Sequence, residues 1–161
     1  MHPRARELIE TLALEPHPEG GFYREIYRSA AMVHPEGSPQ TRTAATTIYF
    51  LLTEGSHSRW HRVASDEIWH LYEGGPLELL LADPEVGRAR SVILRPAGRE
   101  AGPVHAIAAH HWQAAVPRGA FALAGCTVAP GFEFSDFAFL RDQPEAADRL
   151  TRLEPKWAQY L

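Results

Sequence analysis

At 161 residues, 45% hydrophobic and 22% charged, the chain has the size and composition of one globular domain, outside the disordered and fibrous classes. Its net charge of -4 comes from 20 acidic and 16 basic residues dispersed along the sequence, with no basic stripe to follow a phosphate backbone, so nucleic acid is not an expected partner. The longest apolar runs, Ile48 to Leu52 and Leu77 to Ala82, fall far short of the roughly 20 residues a membrane helix needs, so no membrane is expected either.

From Ala5 to Leu14, apolar residues at 5, 8, 9 and 12 follow the spacing of one helix face, with Pro3 where a first turn tolerates it. The chain enters this helix without an apolar signal core followed by small residues, which predicts a cytoplasmic protein. Pro16-His17-Pro18-Glu19-Gly20-Gly21 ends the helix, because proline cannot continue it and paired glycines permit unusual backbone angles. Segments rich in aromatic and β-branched residues then predict strands near 22–28, 44–53, 57–63, 67–73, 77–83, 89–95, 111–116 and 120–128. Gly74-Gly75-Pro76, Asp83-Pro84, Arg95-Pro96-Ala97-Gly98 and Pro130-Gly131 punctuate them, at spacings that suit an antiparallel sandwich or barrel. A late helix is predicted over Pro144 to Leu153. No repeat, low-complexity tract or linker divides the chain, so residues 1–161 read as a single domain. The one cysteine, Cys126, lies amid Leu123, Ala124 and Val128 and reads as a core residue.

The most informative stretch is Gly55-Ser56-His57-Ser58-Arg59-Trp60-His61-Arg62-Val63-Ala64-Ser65-Asp66-Glu67, continuing to Gly74. If strands near 59–63 and 67–73 form a hairpin, His61 and Val63 share one face, and Glu67 can return to it. An imidazole and a carboxylate would then meet inside the barrel, where burial and mutual interaction shift their pKa values.

These residues resemble the first motif of the cupin superfamily: a glycine, five residues, His-x-His, three or four residues, Glu, six residues and a glycine. Gly55, His61, Glu67 and Gly74 fall in register, while Val63 stands at the second histidine. The second cupin motif can be laid over Gly102 to Pro117 by spacing alone, with Gln113 at its histidine position. A closer resemblance is to a one-domain cupin family of unknown function, carried by Pro16 to Glu25, Ala45 to Glu54, Ser58 to Gly74 and Gly125 to Phe132. The resemblance implies an all-β double-stranded β-helix, or jelly roll, of two antiparallel sheets flanked by short N-terminal and C-terminal helices, similar to that of seed-storage proteins and nucleotide-sugar epimerases. It also implies a homodimer, with the strand near Phe22 to Arg28 lent to a neighbour.

Metal-holding cupins use three histidines and a glutamate. This chain retains His61 and Glu67, with the Gln113 amide as a third donor, so a divalent metal is not required but stays open as a cofactor held by His61, Glu67 and Gln113. The metal-free alternative makes His61 a general base, oriented by Glu67 or Asp66, with Tyr23 or Tyr49 as the acid, which is similar to the deoxysugar epimerase branch. The expected function is therefore isomerisation or epimerisation of a sugar-like carbonyl compound, against a non-catalytic small-ligand-binding cupin. Arg24 and Glu25 on opposite faces of the first strand, Trp69 by its parity with Glu67, and His111 by its parity with Gln113 complete the predicted ligand-binding set. His61 bonded to Glu67 for structural reasons alone is the plainer alternative.

Overall fold

Period-two alternation from Phe22 to Ala129 has one physical outlet, a pair of sheets that bury their facing side chains against each other. The computed structural model describes residues 1–35, 40–98 and 102–161. It begins with helix α1 (Pro3–Thr11) and strands β1 (Glu15–Pro16), β2 (Phe22–Arg28), β3 (Met32–Val33), β4 (Arg42–Thr43) and β5 (Thr46–Thr53). Then follow β6 (Ser58–Arg62), β7 (Asp66–Gly74), β8 (Leu77–Ala82), β9 (Ala89–Leu94), β10 (Val104–Ile107), β11 (Trp112–Pro117), β12 (Phe121–Ala129), β13 (Ala138–Phe139) and helix α2 (Pro144–Leu153).

A six-stranded sheet in the order β1-β2-β5-β12-β7-β10 faces a five-stranded sheet in the order β13-β6-β11-β8-β9, and every pairing is antiparallel. This is the double-stranded β-helix that the sequence implied. All eight predicted strands are present, with ends shifted by a residue or two, and the closing helix has the predicted bounds. Strand β10 was not predicted. Its four residues, Val104 to Ile107, are too few to show alternation, and Val104 is exposed.

Phe50, Leu52, Trp69, Leu71, Leu79, Leu81 and Ala124 fill the space between the sheets. Each sheet also carries apolar residues on its outer face, and a helix covers each set. Ala5 and Leu8 of α1 pack with Leu51, Phe121 and Leu123, with Tyr49 against the same cluster. Ala146 and Leu150 of α2 pack with Trp60, Leu80, Trp112 and Ala114. A fully buried leucine such as Leu150 contributes about 2 kcal/mol, so the terminal helices are integral to the domain. Arg4 fixes α1 through two bonds to the Glu73 carboxylate, at 2.7 and 2.9 Å. No helix among the described residues is long and apolar enough to cross a membrane.

Two glycines separate backbone constraint from side-chain crowding. Gly20 has φ +114°, and a Cβ there would overlap the His57 carbonyl oxygen, a backbone atom that cannot turn away. At Gly125 the clash is with the hydroxyl end of Tyr72, a side chain 53% exposed and free to swing outward. Gly20→Ala should therefore destabilise by roughly 2 kcal/mol or more and Gly125→Ala by well under 1 kcal/mol. Equal losses in chemical denaturation would refute that distinction.

Candidate functional site

The segment that ends α1 also builds the site. The His17 amide donates to the Gly21 carbonyl and the Gly20 amide to the His17 carbonyl, both at 3.0 Å, closing a tight loop through the left-handed Gly20 and Gly21. The Arg59 amide donates to the Glu19 carbonyl at 2.8 Å and pins the loop against β6. The side chain of Glu19 is thereby driven inward and buried.

There the Glu19 carboxylate lies between two imidazoles. One oxygen is 2.8 Å from His61 Nδ1 and the other 3.1 Å from His17 Nδ1, while the Ser58 hydroxyl donates to the oxygen that meets His61. The Arg59 carbonyl oxygen is 2.7 Å from the same His61 Nδ1. A nitrogen facing a carboxylate and a carbonyl must carry a proton. Burial pulls the pKa of His61 down, but the charge and hydrogen bond of Glu19, with a further contribution from Glu67, outweigh it and lift the ring to about 9. Burial pushes Glu19 up, yet the charge and bond of His61, with help from His17 and Ser58, bring it below the ordinary carboxylate value. The ring of His61 also stacks on Phe137, with centroids 5.3 Å apart. Nε2 is left as the ring nitrogen for a ligand. No buried side-chain nitrogen or oxygen among the described residues lacks a partner, so Nε2 is not sealed in hydrocarbon.

Glu67 reaches the same cavity from β7, which forms no hairpin with β6 as expected but lies in the opposite sheet, so the two side chains converge across the space between the sheets. Burial, reinforced by the charge of Glu19, raises it to about 7 against the opposing pull of His61 and a bond from Gln113. The Gln113 amide nitrogen donates to Glu67 at 2.6 Å, and its oxygen accepts the Trp69 indole N–H at 2.9 Å. Because an indole can only donate, Trp69 fixes which end of the amide faces the carboxylate. Buried Cys126 bonds to Glu67 as well, and burial pushes its thiol far above the range of a reactive thiolate.

The cavity that His17, Glu19, His61 and Glu67 share measures about 140 Å³. Apolar walls come from Ile48, Val63 and Val128, and Phe132, Phe134 and Phe137 lie over one side. Tyr23, Glu25, Arg28 and Glu133 also line it. Two titratable groups with displaced pKa values across a small, partly apolar hollow form an arrangement suited to proton transfer.

His61, Glu67, Tyr23 and Glu25 of the predicted set meet at this cavity. Others lie elsewhere. Tyr49 points to the outer face of its sheet, against the α1 cluster and Tyr72, because its neighbours Ile48 and Phe50 take the inner face. Arg24 also faces away and donates to the Leu12 carbonyl at 2.9 Å. Arg28, which an unbroken strand would put on the face of Arg24, turns into the cavity instead, because a bulge at Ile26 offsets the register between Glu25 and Tyr27. Trp69 is buried core with its N–H on Gln113, and Gln113 supports Glu67 without lining the cavity. His111 precedes β11 in a turn where His110 has φ +66°, so strand parity with Gln113 does not apply, and it borders a separate hollow with Asp83 and Arg90. Asp66 accepts from the Ala109 amide at 2.9 Å, and Glu19 is the group that holds His61. Reading the Pro16–Gly21 segment as a stop alone concealed Glu19. An acidic residue placed directly before paired glycines was the available signal.

The donor set does not fit the metal expected at His61, Glu67 and Gln113. Gln113 has its amide oxygen on Trp69 and its nitrogen on Glu67, Val63 lines the wall where a second histidine would stand, and His61 Nδ1 is held by Glu19. No group of three or more His, Cys, Asp or Glu side chains among the described residues is disposed to hold an ion.

Residues 6–140 match the cupin superfamily family described as DUF985. Protein SO0799 of Shewanella oneidensis is similar at 31% identity and a TM-score of 0.81, over 98% of this chain and 96% of that one. A hypothetical protein of Leishmania major is similar at 31% identity and a TM-score of 0.77, over 96% and 94%. A dTDP sugar isomerase of Desulfovibrio desulfuricans shares the fold at 12% identity and a TM-score of 0.53, over 74% and 80%. No curated protein matches the chain.

The shifts set the pH dependence of stability. His61, raised from 6.5 to about 9, contributes stability that is complete below about 6.5 and is lost as the pH climbs through 9. Glu67, raised from 4.5 to about 7, acts in the same direction over a lower window, its buried carboxyl costing increasingly from about 4.5 and fully above about 7, so that the fall beyond neutral pH belongs to His61. Unfolding free energy should thus fall between neutral pH and 9. Glu19→Gln should remove about 3 kcal/mol at pH 7, as for a buried charge stripped of its partner, and flatten that fall. In the same variant the His61 ring should titrate well below its wild-type value by NMR, and an unchanged His61 titration would contradict the pairing.

Proposed function

The chain belongs to the DUF985 family of the cupin superfamily, and on that premise we propose that it is a small-molecule isomerase or epimerase that moves a proton beside a carbonyl group, with His61 and Glu67 as the working pair. The observation that carries this reading is an imidazole bonded to the buried Glu19 carboxylate and a second carboxylate, Glu67, on the same cavity, with burial and charge raising His61 to about 9 and Glu67 to about 7. A ring kept protonated by Glu19 serves as acid, which gives the base role to Glu67 and reverses the expectation for His61.

In this reaction the Glu67 carboxylate takes the proton from the carbon next to the carbonyl. The C–H electron pair forms the enol double bond, and the carbonyl oxygen takes a proton from His61 Nε2. Returning the proton from Glu67 to the former carbonyl carbon, while the adjacent hydroxyl returns its proton to His61, completes an isomerisation. Reprotonation of the original carbon from the other side, as the enol oxygen returns its proton to His61, completes an epimerisation; Tyr23 on the cavity wall is the candidate donor, and Glu67 and Tyr23 are then reset through solvent. Glu19 is a positioning residue that keeps His61 charged and oriented. The fold also serves a dTDP sugar isomerase, which supports the reaction class and says nothing of substrate. A titratable, partly polar cavity favours this chemistry over a non-catalytic binder, for which a smooth apolar hollow would suffice.

A homodimer belongs to the same proposal. Strand β2 meets β1 only at Phe22 and Tyr23, which leaves the edge over 24–28 for a second copy. A monomeric mass in solution at micromolar concentration would remove it. For the chemistry, the protein incubated in D2O with a panel of small hydroxyketones, aldoses and ketoses should exchange C–H for C–D next to the carbonyl, followed by NMR. Activity should rise with deprotonation of Glu67 near pH 7 and fall with that of His61 near 9. His61→Asn and Glu67→Gln should each lower exchange by about a hundredfold or more. Exchange no faster than in buffer across the panel, or unchanged in both variants, would overturn the reading.

A further inference from the structure

The charge and size of the cavity bear on what it admits. Four carboxylates line it, those of Glu19, Glu25, Glu67 and Glu133, against one guanidinium, Arg28, and the imidazoles of His17 and His61. Arg28 is the one group there that would ordinarily attract a phosphate or carboxylate. Four of its five N–H donors are already engaged. Nε and Nη2 bind the two Glu25 oxygens at 3.0 and 2.9 Å, Nη1 binds Glu133 at 3.1 Å, and Nη2 also reaches the Phe132 carbonyl oxygen at 3.3 Å. An incoming anion would find one Nη1–H left to it and two carboxylates beside it. The guanidinium instead ties β2 to the loop that carries Phe132 and Phe134. Positive charge deeper inside is likewise matched, since His61 is held by Glu19.

Size narrows the range further. A hollow of about 140 Å³ is comparable to one that holds a single benzene molecule, roughly the bulk of a monosaccharide ring or less.

We infer that the cavity takes a small ligand of about monosaccharide size that carries no negative charge, and that it discriminates against phosphorylated, carboxylated and nucleotide-linked compounds. The inference deepens the proposed reaction by naming its substrate class, and it rests on this cavity being the substrate site. Glu25 and Glu133 are the specificity-determining residues: each neutralises Arg28, and together they leave the mouth acidic. Placing an arginine at the mouth would suggest an anionic substrate, but its two partners reverse that conclusion.

The test uses three matched probes, benzyl alcohol, benzylamine and benzoate, titrated into the full chain while the ring resonances of His61 are followed by NMR. Benzyl alcohol and benzylamine should each bind at least about tenfold more tightly than benzoate. In the double variant Glu25→Gln/Glu133→Gln the freed Arg28 should improve benzoate binding relative to benzyl alcohol by about tenfold or more. Benzoate binding the wild-type protein as tightly as the alcohol, a double variant with unaltered preference, or no saturable shift of His61 with any probe would each overturn the inference. A protein that shows the selectivity yet exchanges no C–H hydrogen in D2O would instead refute the chemistry alone.

Discussion

The buried ion pair between Glu19 and His61 is the constraint on which the rest of the site depends. Two carboxylates, Glu19 and Glu67, share the influence of one imidazolium in a region of low dielectric, and only one of them makes the direct bond. Glu19 takes that bond, with Ser58 and His17 adding to it, and it ionises readily. Glu67 receives only the residual field, feels Glu19 as a like charge, and so retains its proton up to about pH 7. The difference between the two carboxyls comes from their order of access to His61, since both are glutamates buried in the same space.

That order of access is secured by the backbone. The loop through Gly20 and Gly21 is bonded to itself and to β6, so Glu19 has little freedom to withdraw. On the other side, the Glu67 carboxylate is held by an amide whose orientation a core tryptophan dictates. Trp69 is almost wholly buried against Phe50, and the positions of its neighbours are set by the packing of two sheets whose outer faces are themselves covered by α1 and α2. The orientation of the acidic group thus derives from the hydrophobic core.

Much of the architecture was legible because sheet formation follows from alternation and turn residues, both of which are local. His61 and Glu67 do meet, but not through the hairpin expected of their strands: β6 and β7 lie in opposite sheets, and the two side chains reach one cavity from either side. Residues whose direction depends on something non-local were not legible. Tyr49 lies in a segment apolar on both faces, and only the docking of α1 decides which side is covered. His111 precedes its strand and so escapes strand parity. Glu19 sits in a loop, where no periodicity predicts direction, and its partner lies on a distant strand. Gln113 lies opposite His61 across the β6–β11 pair, yet its amide is committed to Trp69 and Glu67, a commitment that motif spacing does not reveal.

The bulge at Ile26 sets the electrical character of the entrance by backbone count and not by residue type. In an unbroken strand, Tyr27 would follow Tyr23 and Glu25 onto the inner surface and Arg28 would look outward. The single supernumerary residue exchanges them, sending a phenol to solvent and a guanidinium to the threshold. Loss or gain of one residue in this strand would therefore recast the polarity of the doorway without substituting Tyr27 or Arg28, a change that comparing residue identities position by position would miss.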